Sequence, residues 1–296
     1  NSGNTATVTF SNSGAGTFNP LRLARFGGTA NFSVNSNATV TAANFEAGTT
    51  GATALIQVNG GTLHATNQAI FANGANVSTS GNGVLLMGGN STFFTGSTFN
   101  GTSSASNSGL QWADGTTLAF DGGAGTIAAI GSGVPNNGSL RITNGGSFTA
   151  NENFNVFSGT QSLLVDGANS KLFIKNTTST FNFWDGGTKT VEFTNSGAGT
   201  VTGGIGFANF GGIGTLNIST GGVLTTGQMF VADNGAATIN INGATLRSTS
   251  SILIGRGTTG IGTINITGGG TLQADGGIFT TDQTATNRAI INVNGG

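Results

Sequence analysis

Few side chains in this sequence can do chemistry. There is one histidine, His64, no cysteine, and ten Asp and Glu among 296 residues. A transition-metal site draws on several His or Cys donors, so neither a metal nor a metal cofactor is expected. The calcium-binding nonapeptide needs G-G-x-G-x-D, and Gly122-Gly123-Ala124-Gly125-Thr126-Ile127 lacks the aspartate. One histidine leaves no arguable Ser/His/Asp set, and no glycine-rich phosphate loop opens a helix. Paired carboxylates are the remaining option, as in polysaccharide-cleaving enzymes. Asp121 stands three residues after Leu118 and Glu152 four after Phe148, so adjacent coils can bring them to one face. No Arg, Lys or His accompanies them to tune a proton affinity, and they read as two isolated polar residues. Phe181, Phe183 and Trp184 form an aromatic cluster of the kind on which sugars stack, although packing is the favoured reading. No catalytic, cofactor or metal residue is assigned, and the expectation is a protein that is not an enzyme.

The elements that must carry these residues are short and repeat. In Gly214–Ala236, Leu216 and Ile218 alternate with polar neighbours and face one side of a strand. Thr220-Gly221-Gly222 is a turn in which glycine permits positive φ. Val223-Leu224 and Met229-Phe230-Val231 are two more short strands, and Asp233-Asn234-Gly235 closes the unit. Nothing shows the 3.6-residue period of a helix.

The first apolar pair of the unit recurs as Val8/Phe10, Phe32/Val34, Ile56/Val58, Val84/Leu86, Leu110/Trp112, Leu140/Ile142 and onward to Ile291/Val293. The eleven steps average about 26 residues. A third, often aromatic segment includes Phe45, Phe71, Phe157, Phe183, Phe207, Phe230 and Phe279 and predicts a column of stacked rings, with Asn or Thr ladders at the corners. Thr7–Phe18 and Thr190–Val201 share nine of twelve residues. One such unit cannot bury its apolar side chains, whereas stacked copies can. A propeller blade needs a longer repeat, so the expectation is all-β: a right-handed parallel β-helix (β-solenoid) of about 11–12 coils with three short strands each, forming one continuous domain over 1–296. Longer steps predict bulging loops near 73–82, 97–108, 131–138 and 176–188.

Charge narrows the partners. The net charge is −1 and 6% of residues are charged, with no basic stripe, so nucleic acid is not an expected ligand. Arg22 and Arg25 are expected on a solvated turn. Apolar runs such as Val84-Leu85-Leu86-Met87 are too short for a transmembrane segment. Sequons occur at Asn31, Asn37, Asn76, Asn90, Asn100, Asn137, Asn176, Asn217 and Asn265; in so Asn- and Thr-rich a chain many arise by chance, and Asn217 and Asn265 fall inside expected strands.

The pattern G-x-G-T-[LI]-x-[IV]-x-x-G-G-x-L occurs at Gly212–Leu224 and again at Gly260–Leu272. It resembles the β-strand repeats of bacterial autotransporter passenger domains and of PEP-CTERM-associated repeat proteins. The resemblance implies an extracellular solenoid on a bacterial cell surface, either an adhesin or a fibre. The sequence starts in mid-repeat and stops after the first strand of a unit, which predicts open ends and head-to-tail filaments of the chain with itself. Surface glycans are the second expected partner, and a polysaccharide lyase or hydrolase is the least favoured reading.

Overall fold

Alternation fixes which side of each strand is hidden. In Ile213–Ser219 the buried residues are Gly214, Leu216 and Ile218, and the other four stand outward. The computed structural model describes residues 4–49, 51–102, 109–127, 133–135, 137–151, 155–156, 159–175, 180–182, 187–208, 211–280 and 287–295. Among these residues there is no helix, and every ladder between strands is parallel. The fold is the expected parallel β-solenoid. Its Cα registers step by 21 residues (Ala54 to Ala75) at the shortest and 28 (Gln161 to Lys189) at the longest.

The chain divides into two compact units: Asn1–Ser132 with Gly145–Glu152, and Gly133–Asn144 with Asn153–Gly296. In the first unit one sheet stacks Thr5–Phe10, Gly28–Asn35, Ala52–Asn59, Ala75–Ser80, Thr98–Gly101, Ala124–Ile127 and Ser147–Ala150. The other two faces are cut partly from strands that bend. Thr39–Ala47 and Thr62–Phe71, of 9 and 10 residues, each cross two faces, with a register shift between Ala42 and Asn44. Thr62–Ala65 then pairs with Val84–Met87, and Ala69–Phe71 with Ser91–Phe93. In these coils one bent strand replaces two of the expected three.

That bend overturns one expected series. Ile56 and Val58 continue into Val77 and Thr79 of the next coil, not into Val84 and Leu86. Val84 and Leu86 lie beside Thr62 and His64 on another face, and the inward residues of that strand are Leu85 and Met87. Val84–Met87 is apolar throughout, so its alternation is silent in the sequence. The loop expected at 73–82 holds the strand Ala75–Ser80, whose inward side chains are Ala75, Val77 and Thr79. Small and polar inward residues hid it. Thr98–Gly101, Gly133–Val134 and Thr180–Asn182 are likewise strands inside the other expected loops, while 103–108, 128–132, 136, 176–179 and 183–186 lie outside the described residues.

Among the described residues the second unit draws on four sheets, one of them the two-stranded pair Gly133–Val134 and Asn155–Val156. Its inner columns hold like residues in register: Leu216, Ile239 and Ile264 in one, Ile218, Ile241 and Ile266 in the next, each at most 8% exposed. Each such side chain contributes about 1.5–3 kcal/mol on burial. The ring column lies in the first unit, where Phe45, Phe71, Phe93 and Phe120 follow one another with centroids 5.5, 4.2 and 5.0 Å apart. In the second unit Phe207 points inward, but Phe230 points out between the inward Met229 and Val231, and Phe279, in the same row through Leu253, is 51% exposed. Phe157 and Phe183 lie outside the described residues.

A second device turns the corner into the next strand. A Cβ on Gly16 would fall 2.7 Å from the ring of Phe10, one on Gly125 2.4 Å from Phe120, and one on Gly199 2.3 Å from Phe193. Each glycine lies under an inward phenylalanine of the strand before it. This accounts for the repeat shared by Thr7–Phe18 and Thr190–Val201, which preserves Phe and Gly six residues apart. Gly125→Ala is expected to destabilise by about 1–3 kcal/mol, since the Phe120 ring is held against Phe93 and Phe148 and must shift to admit a methyl. Denaturant unfolding checks this; an unchanged midpoint would show that the ring yields freely.

Candidate functional site

The outer face of the Ile213–Ser219 sheet carries the most regular array of functional groups in the second unit. Parallel pairing in register places like residues in rows that run from coil to coil. One row is Thr190, Thr215, Thr238, Thr263 and Ile290; the next is Glu192, Asn217, Asn240, Asn265 and Asn292; the third is Thr194, Ser219, Asn242, Thr267 and Asn294. A fourth row, Thr188, Ile213, Ala236, Ile261 and Arg288, is exposed along its length. Rows are spaced about 6.6 Å along the strand and about 4.8 Å between coils.

The middle row is a hydrogen-bonded ladder. Asn292 Nδ2 donates to Asn265 Oδ1 at 2.8 Å, Asn265 Nδ2 to Asn240 Oδ1 at 2.8 Å, and Asn240 Nδ2 to Asn217 Oδ1 at 2.9 Å. Asn217 Nδ2 ends the run on the Glu192 carboxylate at 3.2 Å. Each internal amide keeps one N–H and one carbonyl lone pair for another partner. Beside it, Ser219 Oγ and Thr194 Oγ1 are 3.1 Å apart. Asn or Thr ladders are expected at the corners of the stack, whereas this one runs along mid-strand residues, of which Asn217 and Asn265 figured only as sequons. The signal was present: T-x-[EN]-x-[STN] recurs at 190, 215, 238 and 263 at the coil period.

Charge on the solenoid is spent between coils. Arg22 Nε pairs with Glu46 at 2.9 Å, Arg247 Nη2 with Asp275 at 2.7 Å, and Arg256 Nε with Asp233 at 3.9 Å, each pair joining one coil to the next. Arg22 therefore stands on a strand, Leu21–Leu23, and not on the expected turn; Arg25 lies over the Phe26 ring at 5.3 Å. Arg256 also lies 5.1 Å over Phe230. The Arg247 guanidinium, with a further hydrogen bond from Gln273, holds the Asp275 carboxyl below the usual carboxylate range. A depressed folded-state value means this pair stabilises above the unfolded-chain value and is lost as pH falls through the folded one. In a carboxyl NMR titration Asp275 should titrate below a free aspartate, and Arg247→Ala should move it up. Identical midpoints in both proteins would remove the pair as the cause.

The sequence candidates are scattered. His64 stands half-buried on Thr62–Phe71, in register with Thr41 and Leu86. Trp112 is buried, as expected of an inward anchor. Asp121 ends the strand Thr117–Asp121, while Glu152 lies outside the described residues. Phe181 lies on the strand Thr180–Asn182; its side chain, Phe183 and Trp184 fall outside them too. Among the described residues no group of three or more His, Cys, Asp or Glu is placed to hold a metal, and no helix is long and apolar enough to cross a membrane.

Fold and face together define a parallel β-solenoid with a periodic polar outer surface. No known protein family matches the chain, and no curated protein matches it. Among solved structures, the crystal structure of the TibC-catalyzed hyper-glycosylated TibA55-350 fragment is similar at 18% identity, covering 94% of this chain and 99% of that one, with a TM-score of 0.23. So loose a superposition carries no argument across.

Proposed function

We propose that this chain is a non-enzymatic structural segment of a bacterial cell-surface fibre, working outside the cell as a stiff scaffold. The observation that supports this is the repeating joint between coils of the second unit. Successive coils there meet through parallel backbone ladders, inner columns of like residues and bridging side chains such as Arg247–Asp275. A joint made of repeats is self-complementary along the stack, so the contacts that join coils within one chain can join two copies head to tail. Purified protein examined by electron microscopy should form filaments that lengthen along the stacking direction. Monomers that persist at high concentration would end the fibre reading.

One observation favours a second reading, a glycan-binding adhesin. Phe230, Leu253 and Phe279 form an outward row on the sheet of Met229–Asp233, Ile252–Arg256 and Ile278–Thr280, and Phe279 is 51% exposed. Aromatic faces on a rigid scaffold suit sugar stacking. A glycan array with Phe279→Ala and Trp184→Ala as comparisons separates the two readings; silence on every glycan would remove the adhesin.

A further inference from the structure

We propose that the outer face built from Thr215, Thr238, Thr263 and the amide ladder binds ice. The first argument is periodicity in two directions. Hydroxyls and amides repeat about 4.8 Å apart between coils and about 6.6 Å apart along the strand. A crystalline partner repeats in the same way and can be met at every point, whereas a globular partner gains nothing from the repeat. The second is rigidity. Threonine is stiff at χ1, and the amides of Asn217, Asn240 and Asn265 are tied to one another at 2.8–2.9 Å. Side-chain ladders of this kind also keep stacked sheets flat. Groups fixed before contact lose little freedom when water orders over them.

The third argument is chemical. The three central strands present only neutral side chains on this face, since its charges, Glu192 and Arg288, stand on the flanking strands. Each internal amide has a donor and an acceptor to spare, and the hydroxyls of Thr215, Thr238 and Thr263 have both, the same balance that a water molecule offers. Exposed Ile213 and Ile261 set apolar groups beside these rows, where water cannot bond and is guided toward the polar ones. A sugar lattice is the competing crystalline partner. Sugar sites draw on aromatic side chains, and none occupies these rows.

The test freezes a dilute solution of the full chain slowly and measures how much protein enters the ice. Recrystallisation of fine-grained ice is scored alongside. The chain should enter ice and keep grains small. Thr238→Tyr and Thr215→Tyr, which raise a ring above the plane, should lose most of both effects with unchanged circular dichroism. Thr225→Tyr, on the outer row of the neighbouring sheet, should keep them. Exclusion of the unaltered chain from ice would overturn the proposal. So would equal loss in Thr225→Tyr, or retention on insoluble cellulose or chitin that Thr238→Tyr abolishes while ice uptake is absent.

Discussion

Phe93→Ala is expected to destabilise the first unit by about 3–5 kcal/mol. Phe93 has no exposed surface and lies in the middle of the ring column. Its ring is 4.2 Å from Phe71 at 9° and 5.0 Å from Phe120 at 16°, with Phe99 edge-on at 6.1 Å. Truncation removes two stacked pairs at once and leaves a hole that strands fixed by parallel register cannot close. Loss should be local first, because each coil touches only its neighbours. Amide hydrogen exchange is therefore the sharper measurement: protection should fall in Thr62–Phe71, Ser91–Phe94 and Thr117–Asp121 before the second unit changes. Phe93→Leu, which keeps most of the volume, should cost less than half as much. An alanine variant within about 1 kcal/mol of the parent would mean that the column is not what holds these coils.

Gly74→Ala is the second large effect, at about 2–5 kcal/mol from left-handed backbone strain together with overpacking. Gly74 adopts φ 84° at the corner before Ala75–Ser80. A Cβ there would sit 2.1 Å from the Ala52 carbonyl oxygen, a backbone atom that cannot step aside. The same corner is tied on both sides: Ala54 N donates to Gly74 O at 3.0 Å, and Gly74 N to Gly96 O at 3.1 Å. Gly51, one coil earlier, has nearly the same φ, 79°, with nothing within 4 Å of a Cβ. Gly51→Ala should therefore show the conformational cost alone, about 1–2 kcal/mol. Thermal melts of the two variants measure the difference, and equal melting points would mean that the carbonyl contact costs nothing.

Fold class was legible because alternation survives wherever inward residues are large and outward ones polar, as in Leu216/Ile218 and Ile239/Ile241. It failed where either condition lapsed. Val84–Met87 is apolar on both sides, so inside and outside could not be told apart, and the series slipped one face. Ala75, Val77 and Thr79 are small inward residues that read as loop. Bent strands such as Thr62–Phe71 could not be foreseen, since a register shift leaves no mark in composition. Glycine was legible as a corner residue at Gly221, whose φ is 74°, but the glycines beneath Phe10, Phe120 and Phe193 serve volume, not φ, and only the geometry separates the two. The amide ladder was expected at the corners and not on the strand for another reason: its members are neutral, common and outward, and their meaning comes from being one coil apart.

Glu192 gives that ladder a compass. An amide row alone is indifferent to direction, since flipping every side chain by half a turn reverses all the bonds at no cost. A carboxylate can only accept, so with Glu192 at one end Asn217 must offer its nitrogen, and the choice passes up through Asn240 and Asn265 to Asn292. One acidic residue thereby sets the polarity of four others over the whole row, and decides which way each surplus proton and lone pair faces the surroundings.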